Sequence, residues 1–173
     1  RMATIAFKRE GDAVILIGDS KGHLGQSIYV REIEGREEGA APPVDLKVEK
    51  RNGDFVRGLI EAGRLDTVHD LSDGGLLVAL AEMALPRNIG IQIAQSAIAE
   101  LYGEDQARYL LAVPKADAEH ILAAVKTAAV PATLLGTTGG DTLGVGKASI
   151  TLATLKRAHE DWFPSYMAAP HTH

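Results

Sequence analysis

The chain has 173 residues, a formal net charge of −5 and no cysteine. That length suits one domain of about 100–200 residues. The absence of cysteine excludes disulfides and thiolate metal sites, and the acidic balance argues against the basic stripe of a nucleic-acid binder.

No apolar run approaches the roughly 18–20 residues that cross a bilayer, and no secretory pattern opens the chain. The expectation is a cytoplasmic domain without membrane or nucleic-acid partners. The opening Arg1-Met2-Ala3-Thr4-Ile5-Ala6-Phe7 has no leading polar segment and reads as the middle of a longer polypeptide. Ala13 to Ile17, AVILI, is a continuous apolar run closed by Gly18, the pattern of a buried strand. Gly18 to Gly25 is a glycine-punctuated loop, and the alternation in Ser27 to Ile33, SIYVREI, predicts a second strand. Gly35 to Pro43 carries a charge run and reads as a solvated loop.

Asp45 is a good cap for a helix whose stripe is Leu46, Val48, Phe55, Val56, Leu59 and Ile60, with a possible break at Asn52-Gly53 and an end at Gly63. Thr67-Val68 begins a short strand. After it, Leu76, Leu77, Leu80, Met83 and Ala84 share a helical face that Pro86 stops. Ile89, Ile91 and Ile93 alternate as a strand, and residues 94–107 read as a short helix and a polar loop. Tyr109 to Val113 is a buried strand, Asp117 to Ala129 a helix, and Ala132 to Leu135 a strand. Thr138 to Asp141 is a turn, and a hairpin follows from Leu143 to Thr151 with Gly146-Lys147 at its tip. Leu152 to Trp162 is a last helix, with Pro164 beyond its end and a loose tail over 168–173. Strands alternate with helices, but some pair through short turns. The fold class is therefore α+β, with α/β-type layers: a mixed β-sheet covered by helices, one domain over 1–167.

Three polar clusters carry the candidate chemistry. In the first, His69, Asp70, Ser72 and Asp73 crowd ahead of Gly74-Gly75 and a helix. Free N–H groups and the helix dipole favour an anion there, and glycine lets a phosphate approach. The plainer reading is a helix capped by Ser72 or Asp73. Asp70 and Asp73 also raise magnesium. The second cluster is Gly103 to Arg108, with Glu104, Asp105, Gln106 and Arg108 at a strand's entry. Arg108 suits bidentate contact with carboxylate or phosphate; the alternative is a solvated loop with a Glu–Arg pair. The third is GDSKGHLGQS, including Gly25 and Ser27, which lacks P-loop spacing and reads equally as a plain turn. His120 and His159 sit in predicted helices as surface or packing residues, and His171 with His173 is a tail rather than a metal site.

The long run HDLSDGGLLVALAEMA resembles the signature of the last domain of the phosphoribosylformylglycinamidine synthases. LYGEDQARYLLAVP is similar to that family's Gly-Glu-Ser-Gln-x-Arg stretch, with Asp105 where serine is usual. LGQSIYVREIEG resembles its Leu-Gly-Gly-Ser-x-Tyr loop, with Gln26 for a glycine. PPVDLKVEK and LLGTTGGDTL also fit, so the resemblance covers nearly the whole chain. Aminoimidazole ribonucleotide synthetase and selenophosphate synthetase share the architecture, but typically with a Thr-Gly-rich version of the turn.

The resemblance implies the fold of the C-terminal domain of aminoimidazole ribonucleotide synthetase. It implies a parent ligase that uses formylglycinamide ribonucleotide, glutamine-derived ammonia and ATP with magnesium. It also implies that this chain is the second C-terminal-type half, with the catalytic residues upstream and none here, and no cofactor bound by this domain alone. Its partners would be the upstream ATP-binding half, a separate glutaminase subunit and a small accessory subunit, with the small-molecule substrate in the cleft. Glu104, Asp105 and Gln106 correspond to a stretch that contacts substrate in the first copy, and HDLSDGG is a ligand-facing turn by ancestry. The alternative is a stand-alone phosphometabolite-binding module built on Gly74-Gly75.

Overall fold

Every residue of β1 (Ala13–Ile17) is buried, which requires a central strand covered on both faces. The computed structural model, which describes residues 1–168, places it so. β1 pairs antiparallel with β4 (Tyr109–Val113) on one side and with β5 (Ala132–Thr138) on the other, the latter through an irregularity between Val14 and Ile15. β2 (Val68–Asp70) lies antiparallel on the far side of β4. β3 (Ile91–Ile93) pairs antiparallel with β5 and parallel with β6 (Thr142–Val145), and β7 (Ala148–Thr151) forms a hairpin on β6. The order is β2-β4-β1-β5-β3-β6-β7. This is the mixed sheet that the alternation of elements predicts.

The period of two along β1 builds two cores. Val14 and Leu16 face Leu76, Leu80 and Met83 of α3 (Gly75–Ala84). Ala13, Ile15 and Ile17 face Val56 and Leu59 of α2 (Leu46–Glu61), and Ala118, Ile121 and Val125 of α5 (Lys115–Thr127). Each fully enclosed aliphatic side chain contributes about 1.5–3 kcal/mol, so these two faces supply most of the drive to fold. Among the described residues, no helix is long and apolar enough to cross a membrane.

Five expectations change. Ser27 to Ile33 is not a strand but α1 (Ile28–Glu32), whose N-cap Ser27 accepts a hydrogen bond from the Val30 N–H at 3.3 Å. Serine ahead of an apolar residue serves a helix cap as readily as a strand, and here the local cap wins. α2 runs unbroken through Asn52-Gly53. Asn52 is fully buried and its Nδ2 donates to the Ala107 carbonyl at 2.9 Å. A Cβ at Gly53 would sit 3.2 Å from the Tyr109 hydroxyl. Leu46, placed in the stripe from sequence, is 78% exposed. Its neighbour Asp45 caps the helix as expected, accepting from the Lys47 and Val48 N–H groups, which hold its carboxyl below the usual carboxylate range. The last helix is two, α6 (Leu152–Glu160) and α7 (Trp162–Ala168). Pro164 stands in the first turn of α7, where its missing N–H would have had no helical partner. Ala168, expected in the tail, closes α7; the rest of that tail, with His171 and His173, lies outside the described residues. His120 and His159 are exposed.

Among the described residues, Asn52 is the one side-chain donor to the Ala107 carbonyl, so Asn52→Ala leaves that buried acceptor unsatisfied. The expected cost is about 1–3 kcal/mol of unfolding free energy, read from urea denaturation with unchanged m-value.

Candidate functional site

The three polar clusters meet for a topological reason. β4 runs antiparallel between β1 and β2, with Tyr109 beside both Ile17 and Asp70. Its entry, Gly103 to Arg108, therefore lies at the ends of both neighbours. The loop after β1 and the turn after β2 converge on it.

Two carboxylates join these loops. Glu104 Oε1 accepts from the Gly74 N–H and from the Ile28 N–H, each at 2.8 Å. Gly74 is the N-cap of α3, with a left-handed φ of 77° and no side-chain cap of its own. Glu104 thus supplies the negative charge that the start of the helix favours. Asp105 is buried, and its Oδ2 accepts from the Lys21, Gly22 and His23 N–H groups at 3.0, 2.8 and 3.4 Å. Successive backbone N–H groups turned inward make an anion cradle, and here the anion is internal.

Arg108 completes the clamp. It is 1% exposed. Its Nε donates to the Asp105 carbonyl at 2.9 Å, Nη1 to Ser20 Oγ at 3.0 Å and Nη2 to the Gly103 carbonyl at 2.5 Å. Burial pulls its guanidinium below the usual arginine range, against the opposing pull of Asp105 and Glu104. The fork that suited a ligand carboxylate or phosphate is spent on the chain itself.

The remaining candidates divide between packing and rim. At Gly75 an added Cβ would lie 2.6 Å from the Gly103 carbonyl, so its absence lets α3 start against the end of α4 (Ile98–Tyr102). At Gly25 the Cβ would lie 2.4 Å from the Ala40 carbonyl. Ser27 is a buried cap. Asp70, Ser72, Asp73 and Gln106 are exposed, and the Ser72 carbonyl accepts from Gly75 N–H at 3.1 Å. His69 turns away from the cluster toward α3, its Nε2 2.7 Å from Glu82 Oε2, while its Nδ1 is buried without a hydrogen bond, 3.5 Å from Asp70 Oδ1.

Sequence reasoning placed Ser20, Lys21 and His23 in a candidate loop but missed their internal partners, and it missed Asn52 and Glu82. Their partners are 13 to 88 residues away, and no local pattern announces such pairs. Among the described residues, no group of three or more His, Cys, Asp or Glu side chains could hold a metal ion. Chemically, the arrangement turns one oxygen of each carboxylate and three guanidinium N–H groups onto the chain itself and binds three loops into one block.

The family model of AIR synthase related proteins, C-terminal domain, matches residues 9–147. The phosphoribosylformylglycinamidine synthase subunit PurL of Parvibaculum lavamentivorans is 56% identical over 173 residues, covering 96% of this chain and 23% of the relative. PurL of a Bradyrhizobium species (strain ORS 278) is 55% identical, covering 96% of this chain and 24% of the relative. The chain thus spans about a quarter of the length of these curated relatives. The fold is shared with the solved structure of T. maritima PurL complexed with FGAR, at a TM-score of 0.75 and 17% identity over 90% of this chain and 29% of that one. It is also shared with PurLQS from Thermotoga maritima, at a TM-score of 0.71 and 15% identity over 89% and 27%.

Three substitutions, two in the clamp and one in the adjoining loop, are read by urea denaturation. Glu104→Ala strands two N–H groups and is expected to cost about 2 kcal/mol, with Glu104→Gln milder because its carbonyl still accepts. Gln26 holds a left-handed φ of 58°, a conformation that costs a non-glycine residue about 1 kcal/mol. Gln26→Gly is therefore expected to stabilise by about 0.5–1 kcal/mol, the lost Nε2 bond to the Gly39 carbonyl offsetting part of the gain.

Proposed function

The chain belongs to the family of AIR synthase related proteins, as their C-terminal domain, and from that premise we propose that it is the last quarter of the synthetase subunit of a phosphoribosylformylglycinamidine synthase. The whole polypeptide would convert formylglycinamide ribonucleotide, glutamine, ATP and water to formylglycinamidine ribonucleotide, glutamate, ADP and phosphate. The observation that carries this reading is 56% identity along 96% of the chain to a relative of that name.

In this reading the domain is a wall of the cleft and one half of a pseudo-dimer with the upstream ATP-binding half, not the catalyst. Support comes from the clamp: the Gly74 N–H and the Lys21–His23 amides already hold Glu104 and Asp105. ATP and magnesium are assigned to the rest of the polypeptide. The exposed Asp70, Ser72, Asp73 and Gln106 are the side chains left to face a small molecule. The relatives are named as subunits, which supports a separate glutaminase subunit and a small accessory subunit as partners, in the cytoplasm. A free-standing phosphometabolite module on Gly74-Gly75 has less support, because the Gly74 N–H is bonded to Glu104.

The test compares this chain with the full-length polypeptide that carries it, each supplied with formylglycinamide ribonucleotide, ATP, magnesium and ammonia. The full-length protein is expected to form the amidine and the chain alone to hydrolyse no ATP. ATP turnover by the chain alone, or an inert full-length protein, overturns the reading. In thermal melting, millimolar ribose phosphates are expected to leave the midpoint of the chain alone unmoved. A rise of several degrees would favour the binding module.

A further inference from the structure

The clamp leaves one oxygen of a buried carboxylate uncommitted. Asp105 is 7% exposed, and its Oδ2 takes the Lys21, Gly22 and His23 N–H groups. Oδ1 accepts from no group among the described residues. It is not sealed inside the chain, since the one fully enclosed side-chain polar atom without a partner among those residues is His69 Nδ1. The Asp105 side chain lines a cleft of about 120 Å³, between the loop after β1, the start of α2 and the entry of β4. Oδ1 therefore opens to that cleft. A carboxylate oxygen in so buried a residue is costly unless a donor meets it.

Both signs of charge stand around it. Asp19, Asp45 and Glu49 line the cleft together with Lys21 and Arg51. Among the described residues neither of these cations forms an ion pair. Among them too, Lys21 Nζ has no hydrogen-bond partner, and Arg51 spends only its Nε, on Asn52 Oδ1 at 3.3 Å. The Arg51 fork, Nη1 and Nη2, is left to take a carboxylate side by side.

These features select the occupant. The acids do not converge on a metal ion, because no group of three or more His, Cys, Asp or Glu side chains among the described residues could hold one. A phosphate would face four carboxylates, and the first N–H groups of α2 that would attract it already serve Asp45. A nucleotide is too large, since drug-sized ligands occupy about 300–1,000 Å³. A cavity of about 150 Å³ takes one benzene. The cleft thus suits a molecule of about six non-hydrogen atoms that carries both an ammonium and a carboxylate. We propose that it binds a small α-amino acid, independently of the function proposed above. The ligand's ammonium donates to Asp105 Oδ1, and its carboxylate takes the Arg51 fork with Lys21 beside it.

Calorimetric titration of the full-length polypeptide that carries this chain tests the site, with glycine as the probe and methylamine and acetate as its two halves. Glycine is expected to saturate in the millimolar range, as about five non-hydrogen atoms allow. Each half is expected to bind about tenfold more weakly or worse, for want of one charge-assisted contact. Asp105→Asn keeps an acceptor for the cradle but removes the charge. Arg51→Gln acts at an exposed position and leaves the cradle untouched. Each substitution is expected to weaken glycine about tenfold, with an unchanged melting midpoint for Arg51→Gln showing that the fold is intact. No saturable uptake of glycine overturns the proposal. Methylamine as tight as glycine also overturns it, because the cleft would then be a plain cation site. So does Arg51→Gln binding glycine as tightly as the unsubstituted protein, which would put the amino acid elsewhere. The readout is heat of binding, so a polypeptide inert in amidine synthesis removes the functional reading and leaves this test standing.

Discussion

Backbone N–H groups at the ends of β1 and β2 need acceptors, and the structure turns on how they find them. Buried donors are almost never left unpaired. Glu104 reaches the first turns of α1 and α3, and Asp105 fills the cradle of Lys21, Gly22 and His23. Arg108 then ties the carbonyls of Gly103 and Asp105 to Ser20. One short segment thereby satisfies three loops that are remote in sequence. Removing any member would leave the others desolvated without partners, which is why such networks act as units.

The clamp reaches into the sheet and the second core. Ala107, between its members, is held at a φ of 60°. Its carbonyl takes the Asn52 amide from α2 and lies where a Cβ on Gly18 would be, at 2.5 Å. The backbone strain at Ala107 is sustained because α2, β1 and β4 all press on the same peptide. The two apolar cores, divided by the alternation of β1, then fix the distances over which the carboxylates must reach.

Family membership and internal chemistry point the same way. A fold shared with synthetase structures brings helix N-termini and glycine-rich turns that favour anions. In this chain those positions hold carboxylates of its own. A domain can thus turn such positions to cohesion, since function resides in the site and not in the fold.

Much of the architecture was legible in the sequence. AVILI and YLLAV read as covered strands, Asp45 announced its helix, and Gly146-Lys147 its hairpin, and each is found. The reason is that periodicity and capping act within a few residues. Where two local solutions were close in energy, the sequence misled: SIYVREI alternates like a strand but is five helical residues behind a serine cap. Pro164, read as a stop beyond the last helix, stands in the first turn of a new one. The crowding of His69, Asp70, Ser72 and Asp73 before Gly74-Gly75 marked an anion position. It could not say which anion, because Glu104 is 30 residues from Gly74 and 76 from Ile28. The sequence by itself determined the elements, the alternation that splits the core and the places where positive potential collects. Only the tertiary structure decided who neutralises that potential, because the antiparallel placement of β4 between β1 and β2, a matter of long-range pairing, brings the carboxylates within reach.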